Sequence, residues 1–231
     1  MREQFAEMFD RMAAHYGPTH WWPGETPFEV AIGAILTQNT AWTNVERAIA
    51  NLKRARLLRV KAMLACPLED LEAAVRPSGY FRQKAKRLRI FAAHLAERYG
   101  SSMARMARRP TEALREELLA LNGIGPETAD DILLYACGKP VFVVDAYTRR
   151  ICARHGLAPP DIKYEPLRAL FETHVPPDVA HYKEYHGLIV WTGKDFCRRE
   201  PRCAACPLGP MLGPDQPLGC GGCAPEPNPA E

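Results

Sequence analysis

The sequence predicts an all-α protein, and three observations carry that expectation. Apolar residues recur at helical spacing in nearly every segment. Start and stop signals bracket those segments. The one β-like run, Val141-Phe142-Val143-Val144, is too short to imply a sheet. Residues 2–16 place Phe5, Met8, Phe9 and Met12 on one helical face. Thr26 followed by Pro27 makes an N-cap with proline in the first turn. It opens "PFEVAIGAILTQ", which is apolar almost all round and is expected at the centre of the fold. Thr40 is the expected cap of "AWTNVERAIANLKRA". "LEDLEAAV", "RQKAKRLRIFAAHLAERYG" (ended by Gly100), "TEALREELLAL" and "PETADDILLYACG" (ended by Gly138) continue the pattern. Further helices are predicted at 146–155, 164–174 and 178–192. From Pro207 the chain turns rich in proline and glycine, and an irregular tail is expected over 207–231.

The 231 residues are 47% hydrophobic and 25% charged, the balance of a globular chain able to bury a core without staples. No apolar run reaches the ~18 residues of a membrane span. The first residues, "MREQFAEMFDRMAAHYG", are charged throughout and lack a signal-peptide core. The expectation is a cytoplasmic monomer with no membrane contact. A net charge of +3 argues only weakly for a polyanionic partner, so the distribution of charge matters more. Arg82, Lys84, Lys86, Arg87 and Arg89 form one basic cluster, and Arg198, Arg199 and Arg202 form another. Taken alone, each is a solvated face. Of eight cysteines, Cys66, Cys137 and Cys152 are isolated and expected to be buried apolar residues. Cys197, Cys203, Cys206, Cys220 and Cys223 crowd together, which in a cytosolic chain suggests a metal site rather than disulfides.

"LNGIG" followed by "PETADDILLYA" predicts two helices joined by a short hairpin. Gly123 and Gly125 permit positive φ and close approach of another backbone. Pro126 suits the first turn of the second helix, whose amides and positive end make a phosphate seat, with the Thr128 hydroxyl as a further donor. Asp145 follows the apolar run and precedes a helix, the position of an N-cap. A carboxylate held there stays ionised.

The stretch "LNGIGPETADDILLYACGKPVFVVDAYTRR" resembles the helix-hairpin-helix motif and following aspartate of the endonuclease III superfamily of DNA glycosylases. "FEVAIGAILTQNT", "SGYFRQKAKRL" and "HGLIVWTGKDFCRREPRCAACPL" resemble further family segments, so the likeness spans residues 20–208. It implies a two-lobe fold: a helical lobe over 25–135 ending in the hairpin, and a second lobe of 1–24 plus 136–206 with a cysteine loop. It implies double-stranded DNA as partner and Asp145 as the catalytic carboxylate, stabilising the oxocarbenium ion and orienting water. Bifunctional members carry a hairpin lysine that forms a Schiff base. This chain has Glu127 there, which implies a monofunctional enzyme without a lyase step. Aromatic walls suit a cationic base through cation–π attraction of about 0.5–2 kcal/mol each. Trp21, Trp22 and Pro23, with Trp42, are the candidate walls, and the 3-methyladenine glycosylase branch is similar in these segments. The expected substrate is an alkylated purine such as 3-methyladenine. By analogy Gln38 and Tyr80 fill and wedge the opened duplex. Oxidised or mismatched bases are the alternative specificity, and a non-catalytic DNA-binding or redox-sensing protein is the alternative class.

The family's cluster loop has four cysteines, with six, two and five residues between them. Here five and two residues separate Cys197, Cys203 and Cys206, and Leu212 stands where the fourth would fall. Cys220, or else Cys223, is the displaced fourth ligand of a 4Fe-4S cluster. On spacing alone, Cys203-x-x-Cys206 with Cys220-x-x-Cys223 favours tetrahedral zinc, while the family resemblance and Cys197 before the basic loop favour iron–sulfur. Either metal would be structural, holding the basic loop against phosphates.

Overall fold

The computed structural model describes residues 1–213, and they are all-α: no strand occurs among them. They divide into two compact units, residues 23–139 and residues 1–22 with 140–213.

The unit of residues 23–139 is built around its most apolar helix. α2 (Pro27–Leu36) follows α1 (Arg2–Tyr16) of the other unit, and every residue from Phe28 to Leu36 is buried. Its start is fixed by Thr26, whose hydroxyl accepts from the Glu29 amide at 3.1 Å, with Pro27 in the first turn. α3 (Trp42–Arg54) is capped at Ala41 and not at Thr40, whose hydroxyl instead accepts from the Asn44 side chain at 3.1 Å. α4 (Val60–Ala65) is a short helix that carried no periodic signal of its own. α5 (Leu68–Val75), a tight turn at Arg76–Ser78 and α6 (Phe81–Tyr99) follow. Gly100, at φ 58°, closes α6, and its amide bonds back to Ala96. α7 (Met103–Met106) and α8 (Thr111–Leu119) lead to the hairpin and α9 (Pro126–Asp131).

One α-helix was expected through residue 137. Instead α9 widens over 132–136, where the Cys137 amide bonds to the Ile132 carbonyl five residues back at 3.0 Å. All five residues of this turn are buried, so tertiary packing against α2 overrides the regular ladder. Gly138, at φ 63°, ends it, and the Lys139 amide returns to Leu133 at 2.9 Å. α8 and α9 are clamped by a bidentate pair: Arg115 Nε and Nη2 donate to Asp130 at 2.7 and 3.1 Å. Asp130 is wholly buried, so breaking this pair would remove a bidentate bond from two desolvated charges.

The other unit contains α1, α10 (Ala146–Arg154), α11 (Tyr164–His174) and α12 (Val179–Asp195). α1 packs on α11 and α12, which ties the first residues to the last helices. The core is aromatic. Phe142 stacks on Phe171 at 4.1 Å, while Phe5 and Tyr182 meet this pair edge-on at 4.8 and 5.1 Å. The run 141–144 is therefore buried without being a strand, and its Phe142 amide donates to the Glu172 carboxylate at 3.0 Å. Cys152 is buried, but Cys66 and Cys137 are only half-buried, unlike the expectation for isolated cysteines.

Candidate active site and nucleic-acid interface

In the unit that carries it, Asp145 is the N-cap of α10. One carboxylate oxygen, Oδ1, accepts from the Thr148 amide at 2.7 Å and the Thr148 hydroxyl at 2.8 Å. The other, Oδ2, lies 3.6 Å from His186 Nε2 on α12. Burial by itself would raise the Asp145 carboxyl. His186 and the Thr148 donors outweigh it and hold the group below the ordinary carboxylate range. The side chain remains 13% exposed, against 4% for His186. The carboxylate is thus ionised, fixed by one oxygen and still open to a ligand. His186 is not among the candidate residues of the sequence. It sits inside the apolar helix "YHGLIVW", and only the adjacent glycine hinted at a close approach.

That glycine, Gly187, lies under the "HWW" segment: a Cβ there would come within 2.5 Å of Trp21 Cβ and 2.7 Å of the Thr19 hydroxyl. The same segment is anchored by Thr19, whose amide and hydroxyl both donate to Glu184, at 2.7 and 3.0 Å. His20 and Trp22 take left-handed φ values of 47° and 71°. Such strain in bulky residues is held only by a firm surround. Trp21 is half-buried with the Lys194 ammonium 5.1 Å from its ring, and Trp22 is half-buried beside it in the chain. Pro23 begins the other unit and is exposed. Trp42 starts α3, and its indole N–H donates to Glu46 at 3.0 Å.

In the unit of residues 23–139, the hairpin is braced by side chains from two other elements. Gln38 Nε2 donates to the Gly123 carbonyl at 3.0 Å and to the Thr128 hydroxyl at 2.9 Å. Arg87 Nη1 donates to Gln38 Oε1 and lies against Gly123, which has φ +86°. A Cβ on Gly123 would run into the Arg87 side chain, so this position requires glycine twice over. Gly125 differs: nothing lies within 4 Å of where its Cβ would be. Gln38 and Thr128, both expected at the DNA, therefore bond to each other, and Thr128 is buried. The neighbouring Asn39 is exposed at a left-handed φ of 50° and was passed over in the sequence. Tyr80 projects from a turn with Gly79 at φ 69° and itself at φ 44°. It is 65% exposed, unusual for so large an apolar ring. Glu127 stands exposed in the first turn of α9.

The basic cluster of α6 is not one solvated face. Lys84 is fully buried, Arg87 holds Gln38, and Arg89 donates to the Cys66 carbonyl. Arg82 does extend into solvent, with a side chain 79% exposed.

Cys197, Cys203 and Cys206 line a single cavity at the end of α12. The Arg154 guanidinium donates to Cys197 Sγ at 3.2 Å, and Arg150 Nε to the Cys197 carbonyl at 2.6 Å. A Cβ on Gly209 would collide with the Cys203 carbonyl, so the loop is wound tightly on its own backbone. A cation on a sulfur and three thiols around one space suit an anionic metal–sulfur group. Among the described residues, no three His, Cys, Asp or Glu side chains are grouped so as to hold a metal ion. Cys220 and the alternative Cys223 lie outside the described residues, as does the tail beyond 213. Arg198, Arg199 and Arg202 are exposed on the same loop.

No helix among the described residues is long and apolar enough to cross a membrane. A family model described as the HhH-GPD superfamily base excision DNA repair protein matches residues 32–177. A Methanocaldococcus jannaschii protein carrying the provisional name of a DNA repair glycosylase is 45% identical over 208 residues, 89% of this chain and 94% of its own. Endonuclease III of Thermotoga maritima is 33% identical over 181 residues, 78% of this chain and 79% of its own. Among solved structures, the H. pylori 3-methyladenine DNA glycosylase bound to 1,N6-ethenoadenine superposes with a TM-score of 0.74 at 32% identity, covering 84% of this chain and 96% of that one. The chain belongs to the HhH-GPD superfamily and is a helix-hairpin-helix DNA glycosylase of base excision repair related to endonuclease III.

Proposed function

We propose that this glycosylase is monofunctional and removes alkylated purines, of the 3-methyladenine type, from duplex DNA. The observation that carries the reading is Asp145, a carboxylate held ionised by Thr148 and His186 yet partly open, with Glu127 in place of the hairpin lysine. As the C1′–N bond breaks, its electron pair leaves with the base, and a base that is already cationic needs no proton to depart. Asp145 stabilises the oxocarbenium ion and orients the water that attacks C1′. A carboxylate at position 127 cannot form the imine on which a lyase step depends. Trp21, Trp22, Pro23 and Trp42 are the proposed base-pocket walls, through stacking and cation–π attraction. Gly123 and Gly125 are the proposed backbone contacts, with Thr128 supporting the hairpin from within. Tyr80 and the turn carrying Gln38 and Asn39 are the proposed inserting groups. Support for the alkylated base comes from the relative at 32% identity whose own name is that of a 3-methyladenine DNA glycosylase.

Cys197, Cys203, Cys206 and Cys220 would hold a 4Fe-4S cluster whose contribution is structural, fixing the loop of Arg198, Arg199 and Arg202 at DNA phosphates. Zinc on Cys203, Cys206, Cys220 and Cys223 is the competing outcome. Brown protein absorbing near ~400 nm supports iron. Colourless protein with stoichiometric zinc overturns it.

The test of the activity is base release from duplexes carrying methylated, oxidised or mismatched bases, with borohydride trapping in parallel. Release of methylated purines and an untrapped, uncut abasic strand are expected. Preference for an oxidised or mismatched base overturns the substrate assignment, and a trapped adduct overturns the monofunctional one.

A further inference from the structure

Lys84 lies in the middle of the basic stretch of α6, yet its side chain is fully buried. Its ammonium donates to the Leu36 carbonyl at 2.9 Å and to the Ser78 carbonyl at 2.6 Å. Leu36 is the last residue of α2, and Gln38 and Asn39 follow it within three positions. Ser78 ends the turn from which Gly79 and Tyr80 project. Both turns carry non-glycine residues at left-handed φ, Asn39 at 50° and Tyr80 at 44°. Burial, with the nearby Arg87, lowers the Lys84 ammonium to about 8. A buried cation is costly even when bonded, and an apolar chain of the same length would fill the space more cheaply. The negative end of the α2 dipole offsets part of that cost. What a methionine cannot do is bind two carbonyls from different turns at once.

We propose that Lys84 is a positioning residue that locks the turn after α2 to the Tyr80 turn, so that the two enter DNA as one rigid wedge. The proposal rests on the reading of these turns as the inserting groups. Lys84 touches no DNA; it sets the spacing between groups that do.

The test is a double-mutant cycle with Lys84→Met and Tyr80→Ala. The quantity measured is the ratio of Kd for undamaged duplex to Kd for a duplex carrying a tetrahydrofuran abasic analogue. Each single variant is expected to lower that ratio about tenfold, and the double variant no further, because coupled residues are not additive. An unchanged ratio in Lys84→Met, or losses that multiply, overturns the proposal. A purely structural lysine would lower Tm and leave the ratio alone. If Tyr80→Ala has no effect, the insertion reading fails. The lock itself is then decided by amide exchange over residues 37–40 and 79–82. Faster exchange in both turns of Lys84→Met supports it, and unchanged exchange overturns it. Should Lys84→Met fail to fold, Lys84→Gln, which is shorter and neutral, is run through the same cycle with the same deciding outcomes.

Discussion

Asp145 and Gln38 are both polar residues at the end of an apolar run, and they are held in opposite ways. Asp145 takes its two short hydrogen bonds from Thr148, three residues away, as any N-cap does. Gln38 takes its partners from Gly123, Thr128 and Arg87, all distant in sequence. The proposed catalytic carboxylate is fixed by local structure and trimmed by one distant histidine. The hairpin has its own turn bonds, such as the Ile124 amide to the Leu121 carbonyl at 3.0 Å, but its bracing side chains all come from distant residues. Changes near Asp145 should therefore alter chemistry with little effect on the fold, whereas changes around Gln38 should alter grip and stability together.

The largest effect expected is from Asp145→Asn. Asparagine keeps a capping oxygen for the Thr148 amide, so Tm should hold, while base release under single-turnover conditions should fall by about 10²–10⁴-fold. Wild-type release would remove the catalytic role, and a large drop in Tm would blur the distinction between the two regions. The same carboxylate predicts a pH effect. Its folded-state value lies below the ordinary one, so the ionised form dominates above about pH 3.9 and the acid limb of the base-release rate should fall below that value. An acid limb above it would mean that burial outweighs His186 and Thr148.

Next comes Asp130→Ala. It leaves the buried Arg115 guanidinium without its bidentate partner, a loss of about 3–5 kcal/mol. Chemical denaturation should report that loss, and DNA affinity should fall with the hairpin's order. Gln38→Ala should cost about 1–2 kcal/mol, the scale for leaving a buried polar partner unsatisfied. If Gln38→Ala weakens DNA binding with no loss of stability, the brace is not its role, and the contrast with Asp145 collapses.

The same contrast explains what the sequence disclosed. The cap at Thr26, the glycine stops at Gly100 and Gly138, and Asp145 before its helix depend on neighbours within about six residues, and a linear reading finds them. His186 pairs with Asp145 from another helix, inside a run whose apolar neighbours announce only burial. Lys84 and Arg87 were indistinguishable in sequence from the exposed Arg82, since lysine and arginine are buried only where distant carbonyls or side chains receive them. The widened turn at 132–136 had no signal either, because packing against α2 decides it and its residues are ordinary helix formers.

The smallest effect separates grip from chemistry most cleanly. Arg82 is 79% exposed, and its nearest carboxylate oxygen, on Glu72, is 4.0 Å away, so its guanidinium is available to a phosphate. Arg82→Ala should weaken damaged and undamaged duplexes alike, by about threefold or less, and reduce the slope of log K against log salt by about 1. Its single-turnover rate at saturating enzyme should equal that of the wild type. A changed rate would place Arg82 in the chemistry. An unchanged salt slope would place the phosphate-binding face elsewhere on the unit and remove α6 from the DNA interface, while leaving the internal brace of Lys84, Arg87 and Gln38 intact.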